Sequence, residues 1–489
     1  MSDKVLAFDF GASSGRAIIG ELKDGKISLE EVHRFDNDPV TVCGSFYWDV
    51  LRLFHEIKQG IIKAKNTTDF ESIGIDTWGV DFGMIGKDGK LVGNVYNYRD
   101  KRTDGIPEEV EEKIISKADL YKESGLQLMN FNTIFQLYAL KKQEPHLEAL
   151  IDKILLMPDL FNYFLTGKQY AEYTNASTTE LLNPYTKEWN FPLIEKMGFD
   201  KNIFPEIIGA GTVVGDMLPE VCEELDMKPK KVIAVGSHDT ASAVAAVPTQ
   251  EKDFVFISCG TWSLFGTELD APVITEQSQS FNITNETGYN KTTRFLKNII
   301  GLWMIQETRR QFKREGKDYS YAKMEELARA EKAYTCFIDP DSPEFVAPGN
   351  IPERIREYCR RTNQTVPETD GAIIRCIYES LAMKYKYTFE QLKDCCKKDF
   401  KVIHMVGGGT KDSFLCQMAA SAAGVPVIAG PIEGTAAGNV IVQFIANGKI
   451  KDLKEARKII ADSFNVVHYE PNDDSWNAEY DRFISILEK

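Results

Sequence analysis

Phe8-Asp9-Phe10-Gly11-Ala12-Ser13-Ser14-Gly15-Arg16 follows an apolar run at residues 5–8 and leads into a second at 17–22. Ile257-Ser258-Cys259-Gly260-Thr261-Trp262-Ser263 repeats the arrangement between apolar runs at 254–257 and 264–269. Each run is short, apolar and bounded by Gly and Ser, and reads as a buried strand. A glycine with small hydroxyl residues between two strands gathers backbone N–H groups and short donors into one concavity, which suits phosphate oxygens. Either bend alone is equally an ordinary hairpin turn, because Gly and Ser are common turn residues. The recurrence argues for two copies of one design, whose bends hold a nucleotide's phosphates from both sides.

The 489 residues are 43% hydrophobic, enough for two or three domains with large cores. A formal net charge of −15 repels phosphate backbones and anionic surfaces, so no nucleic-acid or membrane partner is expected. Residues 1–10 carry a charge pair ahead of an apolar run too short for a signal peptide's core. The longest stretch of low polarity, 414–432, is broken by Gly424, Pro426, Gly430 and Pro431 and reads as a buried helix, turn and strand. Nine cysteines (43, 222, 259, 336, 359, 376, 395, 396 and 416) show no paired zinc-type spacing. They read as reduced thiols of a cytoplasmic protein.

Strands and hairpins interleave with helices along the first half. Lys23-Asp24-Gly25-Lys26 turns into a strand at 27–33, and a helix follows at 48–65 with Val50, Leu51, Phe54, Ile57 and Ile61 on one face. A strand at 72–76 ends in Thr77-Trp78-Gly79-Val80-Asp81-Phe82, and a second Lys-Asp-Gly-Lys turn at 87–90 closes another hairpin. A further strand runs over 231–236. The pattern is α/β, divided into a domain at 1–246 and a second at 247–489. The second ends in a strand at 400–406, the loop Gly407-Gly408-Gly409, a helix capped by Asp412 or Ser413, and a strand at 425–428. Three glycines at a strand end allow a ring or phosphate to lie on the backbone, and close packing explains them as well.

Two lookalikes fail. Residues 20–27 nearly spell a phosphate-binding P-loop, without its Ser/Thr and opening a strand where a helix is required. Residues 209–215 imitate a dinucleotide fingerprint with one residue too many and no convincing strand before it.

The chemistry centres on Gly236-Ser237-His238-Asp239-Thr240-Ala241-Ser242-Ala243. A strand end delivers Asp239 to a loop, where its carboxylate can take the proton of an alcohol attacking a phosphoryl group; the loose transition state moves that proton late, so a weak base suffices. An N-capping role is the structural alternative. Asp9, beside the first bend, can hold a hydrated magnesium ion, or serve as turn chemistry only.

These residues, with Asp76-Thr77-Trp78-Gly79, Tyr98-Arg99-Asp100, Met157-Pro158-Asp159, Leu165-Thr166-Gly167, Gly260-Thr261 and Leu296 to Trp303, resemble the FGGY carbohydrate kinases over nearly the whole chain. The resemblance implies two ribonuclease-H-like, actin-like ATPase domains with a cleft between them. It implies small-molecule substrates: ATP with Mg2+, and L-rhamnulose, phosphorylated on its 1-hydroxyl. Carried over, Asp239 is the catalytic base; Gly79, His238, Asp239, Thr240 and Asn298 contact the sugar; Ala12, Ser13, Ser14, Gly15, Arg16, Thr261, Gln306 and Gly408 contact ATP; and Asp9 serves the metal. Ala12 stands where many members have Thr, and Cys259 reads as a small buried residue without a catalytic role. A 6-deoxy sugar needs an apolar wall for its methyl group, for which Trp78 and Phe131 are the candidates. The competing readings are a kinase for another ketose, such as L-fuculose or xylulose, and an actin-like ATPase with no sugar substrate.

Overall fold

Residues 3–487 are described by a computed structural model. Met1 and Ser2, at the start of the stretch read for a signal peptide, lie outside the described residues. Two compact units are present. The first takes the described residues up to Gln250 together with Glu268–Phe295 and Gly434–Phe464; the second takes Glu251–Thr267, Leu296–Glu433 and the described residues from Asn465. The chain first changes unit at Gln250, a few residues past the division drawn at 246, and two later segments belong to the first unit.

The first unit is built on a six-stranded sheet in the order Thr212–Asp216, Lys231–Ala234, Ser72–Asp76, Asp3–Phe10, Ser14–Lys23, Lys26–Asp36. The strands Lys231–Ala234, Ser72–Asp76 and Asp3–Phe10 are mutually parallel, and the outer pairings are antiparallel. Because side chains alternate along a strand, Leu6, Phe8 and Phe10 pack with Leu53, Ile57 and Ile61 of the helix Val50–Thr67. Val5 and Ala7 pack with Ala437, Val440, Ile441 and Phe444 of the helix Gly434–Ala446. Each fully buried apolar side chain of this kind contributes about 1.5–3 kcal/mol.

Asp49 caps the first of these helices by accepting from the Arg52 N–H at 3.1 Å. Val50, Ile57 and Ile61 are buried and Phe54 partly so, as expected, while Leu51 is 67% exposed and Leu53 is buried; Trp48 ends the preceding strand, Ser45–Trp48. The turn at 87–90 closes a short hairpin, as expected: Gly86 N–H donates to Lys90 O and Val92 N–H to Met84 O, both at 2.9 Å, around an antiparallel bridge from Ile85 to Leu91, while Phe82–Gly86 also pairs with Ile151–Leu156.

In the second unit the strand Val255–Cys259 pairs antiparallel with Trp262–Leu269 and parallel with Ile403–Val406. The latter pairs with Val427–Ala429, which pairs with Val467–Tyr469. Both units thus contain the strand, bend and strand unit, with a parallel neighbour beside its first strand. Asp412 caps the helix Ser413–Ala423, accepting from Leu415 N–H at 3.0 Å.

Residues 20–27 form a hairpin turn with Gly25 at φ 74°. Residues 209–215 follow a short strand, Glu206–Ile208, which the sequence did not signal, and run into a second strand with no helix. All nine cysteines are free, and no helix of the described residues is long and apolar enough to cross a membrane.

Candidate active site

Three parallel strands of the first unit end side by side, and each delivers a carboxylate. Asp9 and Asp76 stand opposite one another in register. The chain leaving Lys231–Ala234 bridges to the neighbouring strand's end at Thr77 and His238, with Thr77 N–H donating to Ser237 O and Asp239 N–H donating to Thr77 O, both at 2.9 Å. Carboxyl ends of adjacent parallel strands are where open α/β sheets bind ligands. His238 occupies the cap position of the helix Asp239–Ala245, so Asp239 is its first residue and not its cap. Thr240 Oγ1 donates to Asp239 Oδ1 at 3.1 Å.

The three carboxylates differ in access. Asp239's side chain is 32% exposed, whereas Asp9 and Asp76 are buried. Burial raises the Asp239 pKa; neighbouring His238 opposes that shift and the Asp9 charge adds to it. Asp76 is pushed much further up, by burial and then by Asp9. Its Oδ2 accepts from Asn439 Nδ2 at 2.6 Å, and its buried Oδ1 has no hydrogen-bond partner. Asp9 is paired with Arg16, its neighbour across the hairpin. Two adjacent carboxylates, one with an orphaned buried oxygen, form a hard-oxygen donor set compatible with Mg2+ held largely through water. Among the described residues there is no cluster of three or more His, Cys, Asp or Glu arranged to hold a metal by protein ligands alone.

The loop after Asp76 is tightly braced. Val80 adopts φ 67°, uncommon for a β-branched residue. Thr178 Oγ1 accepts its N–H at 2.9 Å, and its carbonyl accepts from Thr133 Oγ1 at 2.6 Å. Gly79 is half-buried, and a Cβ there would lie 2.8 Å from the Thr178 side chain. Asp81 is fully buried and accepts from Trp48 Nε1 at 2.7 Å, Trp78 Nε1 at 2.9 Å, Gln136 Nε2 at 2.9 Å and the Tyr98 N–H at 3.2 Å. Burial nevertheless pushes its pKa up to about 6 against these donors. The two indoles pack with centroids 4.2 Å apart and planes tilted by 36°, and the Phe131 ring centroid lies 5.3 Å from that of Tyr98. Trp78 is therefore part of the packed interior, whereas Phe131 is half-buried.

The first bend closes through Gly11 N–H to Ser14 O at 2.9 Å. Asn37 clasps it, its N–H donating to Ser13 O at 3.1 Å and its Nδ2 to Gly11 O at 2.9 Å. Ser13 is exposed, and Ala12, Ser14 and Arg16 are half-buried. Gly15 is buried, and a Cβ on it would fall 2.2 Å from the Phe35 ring, so packing alone requires glycine there.

In the second unit, the bend closes through Gly260 N–H to Trp262 O at 2.8 Å. Thr261 O accepts from the N–H groups of Gly301 and Trp303, both at 3.1 Å, which brings the start of the helix Trp303–Arg314, with half-buried Gln306, against the bend. Asn298 lies on the strand Thr293–Ile300 leading there and is half-buried. The three glycines divide between the two explanations. Gly407 and Gly409 pack on Cys259, where a Cβ would meet its carbonyl at 3.0 Å and its Sγ at 2.2 Å respectively, whereas Gly408 is exposed with nothing within 4 Å. Cys259 is buried and its thiol is pushed up to about 11 by burial, which leaves it an inert small side chain.

Asn37, Asn439, Glu172 and the pair Glu286 and Arg294 escaped the sequence reading. Glu172 is buried, raised to about 7 by burial, and accepts the Ser237 N–H at 3.1 Å, fixing the turn before His238. Only its place at the end of a short polar run, Glu172 to Asn175, marks it in the sequence.

The models of the FGGY carbohydrate kinases match this chain over residues 4–246 for the N-terminal domain and 255–447 for the C-terminal domain. The chain belongs to the FGGY family of carbohydrate kinases. It is 44% identical to the rhamnulokinase of Oceanobacillus iheyensis over 95% of this chain and 97% of that one. It is 41% identical to the rhamnulokinase of Bacteroides thetaiotaomicron over 99% of both. Among solved structures, a ligand-bound xylulose kinase from Lactobacillus acidophilus superposes with a TM-score of 0.82 at 18% identity, covering 99% of this chain and 97% of that one. Plasmodium falciparum glycerol kinase with ADP superposes with a TM-score of 0.79 at 16% identity, covering 99% and 98%. The fold is that of the two-domain sugar kinases, of the actin-like ATPase type.

Proposed function

We propose that this chain transfers the γ-phosphate of MgATP to the 1-hydroxyl of L-rhamnulose, giving L-rhamnulose 1-phosphate and ADP in the cytoplasmic breakdown of L-rhamnose. The observation that carries the chemistry is Asp239: a partly open carboxylate of raised proton affinity beside the carboxyl ends of the sheet's parallel strands. The near full-length likeness to rhamnulokinases supports the choice of sugar.

Asp239 takes the proton of the attacking hydroxyl. His238, Thr240, Gly79 and Asn298 orient the sugar, while the bend at 12–16 with Thr261, Gln306 and Gly408 holds ATP. Asp9, with Asp76 beside it, would hold Mg2+, which when bound offsets phosphate charge. A panel of ketoses at fixed ATP tests the reading: ADP release is expected to be strongest with L-rhamnulose. Higher kcat/KM for L-fuculose or xylulose would reassign the substrate, and ADP release indifferent to every sugar would overturn the kinase reading.

Asp239 must be ionised to act. Since burial raises its pKa above the ordinary 3.8, kcat/KM should rise with pH through a midpoint above that value and level off once the carboxylate is formed. A profile already flat at pH about 4 would contradict the role.

The apolar wall for the C6 methyl is better assigned to Phe131 than to Trp78, whose indole is committed to Asp81 and Trp48. Phe131→Ala should lower the preference for L-rhamnulose over its 6-hydroxylated analogue by about tenfold, the usual scale for one methyl contact. An unchanged ratio of kcat/KM values would remove Phe131 from the sugar pocket.

A further inference from the structure

Behind His238 lies a buried ion pair that none of the roles above uses. Arg294, on the strand Thr293–Ile300, is wholly buried, and Glu286, on the strand Thr284–Thr287, is nearly so. Arg294 Nη1 lies 3.0 Å from Glu286 Oε2, Nε donates to Thr287 O at 3.1 Å, and Nη2 lies 3.1 Å from His238 Nδ1. On its other side, His238 Nε2 lies 3.4 Å from Asp239 Oδ1.

Burying a guanidinium and a carboxylate costs several kcal/mol per ion, and apolar replacements of such pairs are often neutral or stabilising. Stability is therefore a weak reason for this pair, and orientation of the adjoining ring is a better one. A guanidinium only donates, so contact with Arg294 favours a lone pair on Nδ1, which puts the proton of a neutral ring on Nε2, towards Asp239. Glu286 Oε2 is also 3.2 Å from Nδ1. Placing the proton on Nδ1 for Glu286 would turn a bare Nε2 towards the Asp239 carboxylate, setting acceptor against acceptor, and would leave an Arg294 donor facing an N–H.

We propose that Arg294, anchored by Glu286, is a positioning residue: it fixes His238 as the Nε2–H tautomer, whose proton faces Asp239 Oδ1. Thr240 donates to the same oxygen, so Oδ2 becomes the oxygen that receives the substrate proton. The role in turnover rests on the catalytic assignment of Asp239; the tautomer does not.

The test uses the full chain labelled with 15N-histidine. It reads two-bond 1H–15N correlations at pH about 7.5. The six histidines are resolved by loss of one pattern in His238→Gln. A neutral Nε2–H pattern for His238 is expected, and an Nδ1–H or doubly protonated ring in the wild type overturns the proposal whatever the enzyme's substrate. In Glu286→Gln/Arg294→Met, which removes both charges together, the pattern should broaden into mixed tautomers. There kcat should fall about tenfold or more while KM for ATP stays within about twofold. Should that variant fail to fold, Arg294→Lys keeps one donor and should hold the tautomer with a smaller loss of kcat. An unaltered kcat in a folded double variant sinks the positioning role. Absence of sugar kinase activity in the wild type sinks the functional reading and leaves the tautomer to be judged on its own.

Discussion

Asp239→Asn is expected to lower kcat by about 10²–10⁴, the range supplied by a positioned proton acceptor, while ATP affinity and thermal stability stay near wild type. The amide matches the carboxylate in shape and can still accept from Thr240 Oγ1, which donates to Oδ1 at 3.1 Å. What it loses is the ability to take a proton. Removal of a charge whose pKa is already raised by desolvation relieves that desolvation and does not strain the fold. Steady-state kinetics with L-rhamnulose, together with ATP binding by calorimetry, separate the two effects. Turnover within about tenfold of wild type would exclude Asp239 as the base, and loss of ATP binding together with kcat would mean that the residue serves structure instead.

Gly438→Ala is expected to be among the most damaging single-methyl changes in the protein. Gly438 lies in the helix Gly434–Ala446, and a Cβ there would stand 1.7 Å from the carbonyl oxygen of Ser242 in the helix Asp239–Ala245. Backbone meets backbone at that point, so no rotamer change relieves the clash and one helix must move. Overpacking of this kind costs about 3 kcal/mol or more. The displaced helices also carry Asn439, which donates to Asp76, and Asp239 itself. We therefore expect Tm to fall by about 5 °C or more and activity to fall with it, both measured on the full chain. An unchanged Tm would show that the two helices tolerate separation.

The parts of the site that were legible in the sequence are those written locally. A strand that ends in Asp, followed by Gly and Ser, announces both the bend and the carboxylate at Asp9, and Asp239 is marked by the apolar strand and small-residue helix on either side of it. The helix at Val50–Thr67 was legible in kind and largely in phase: Val50, Ile57 and Ile61 are buried and Phe54 partly so, and only Leu51 of the expected face is exposed. Gly407 to Gly409 left two explanations open, and only the neighbouring Cys259 separates the packing glycines from Gly408. Glu286 and Arg294 were illegible for another reason. Charged residues on a strand usually mark a solvated edge, and their burial depends on partners about fifty residues away in the chain, His238 above all. The helix Gly434–Ala446 shows an apolar pattern that identifies a buried face without saying which sheet it covers.

That last helix imposes an order on synthesis. While the ribosome is still making residues beyond 250, the sheet surface bearing Val5, Ala7 and Ile27 has been translated but lacks Val440, Ile441 and Phe444, which seal it in the finished molecule. The nascent chain thus carries an open greasy surface through most of its elongation, the situation in which chaperone capture or aggregation competes with folding. Only once the helix Gly434–Ala446 has been made and docked do Asp76, which accepts from Asn439, and Asp239, whose helix packs on Gly438, acquire the surroundings seen in the structure.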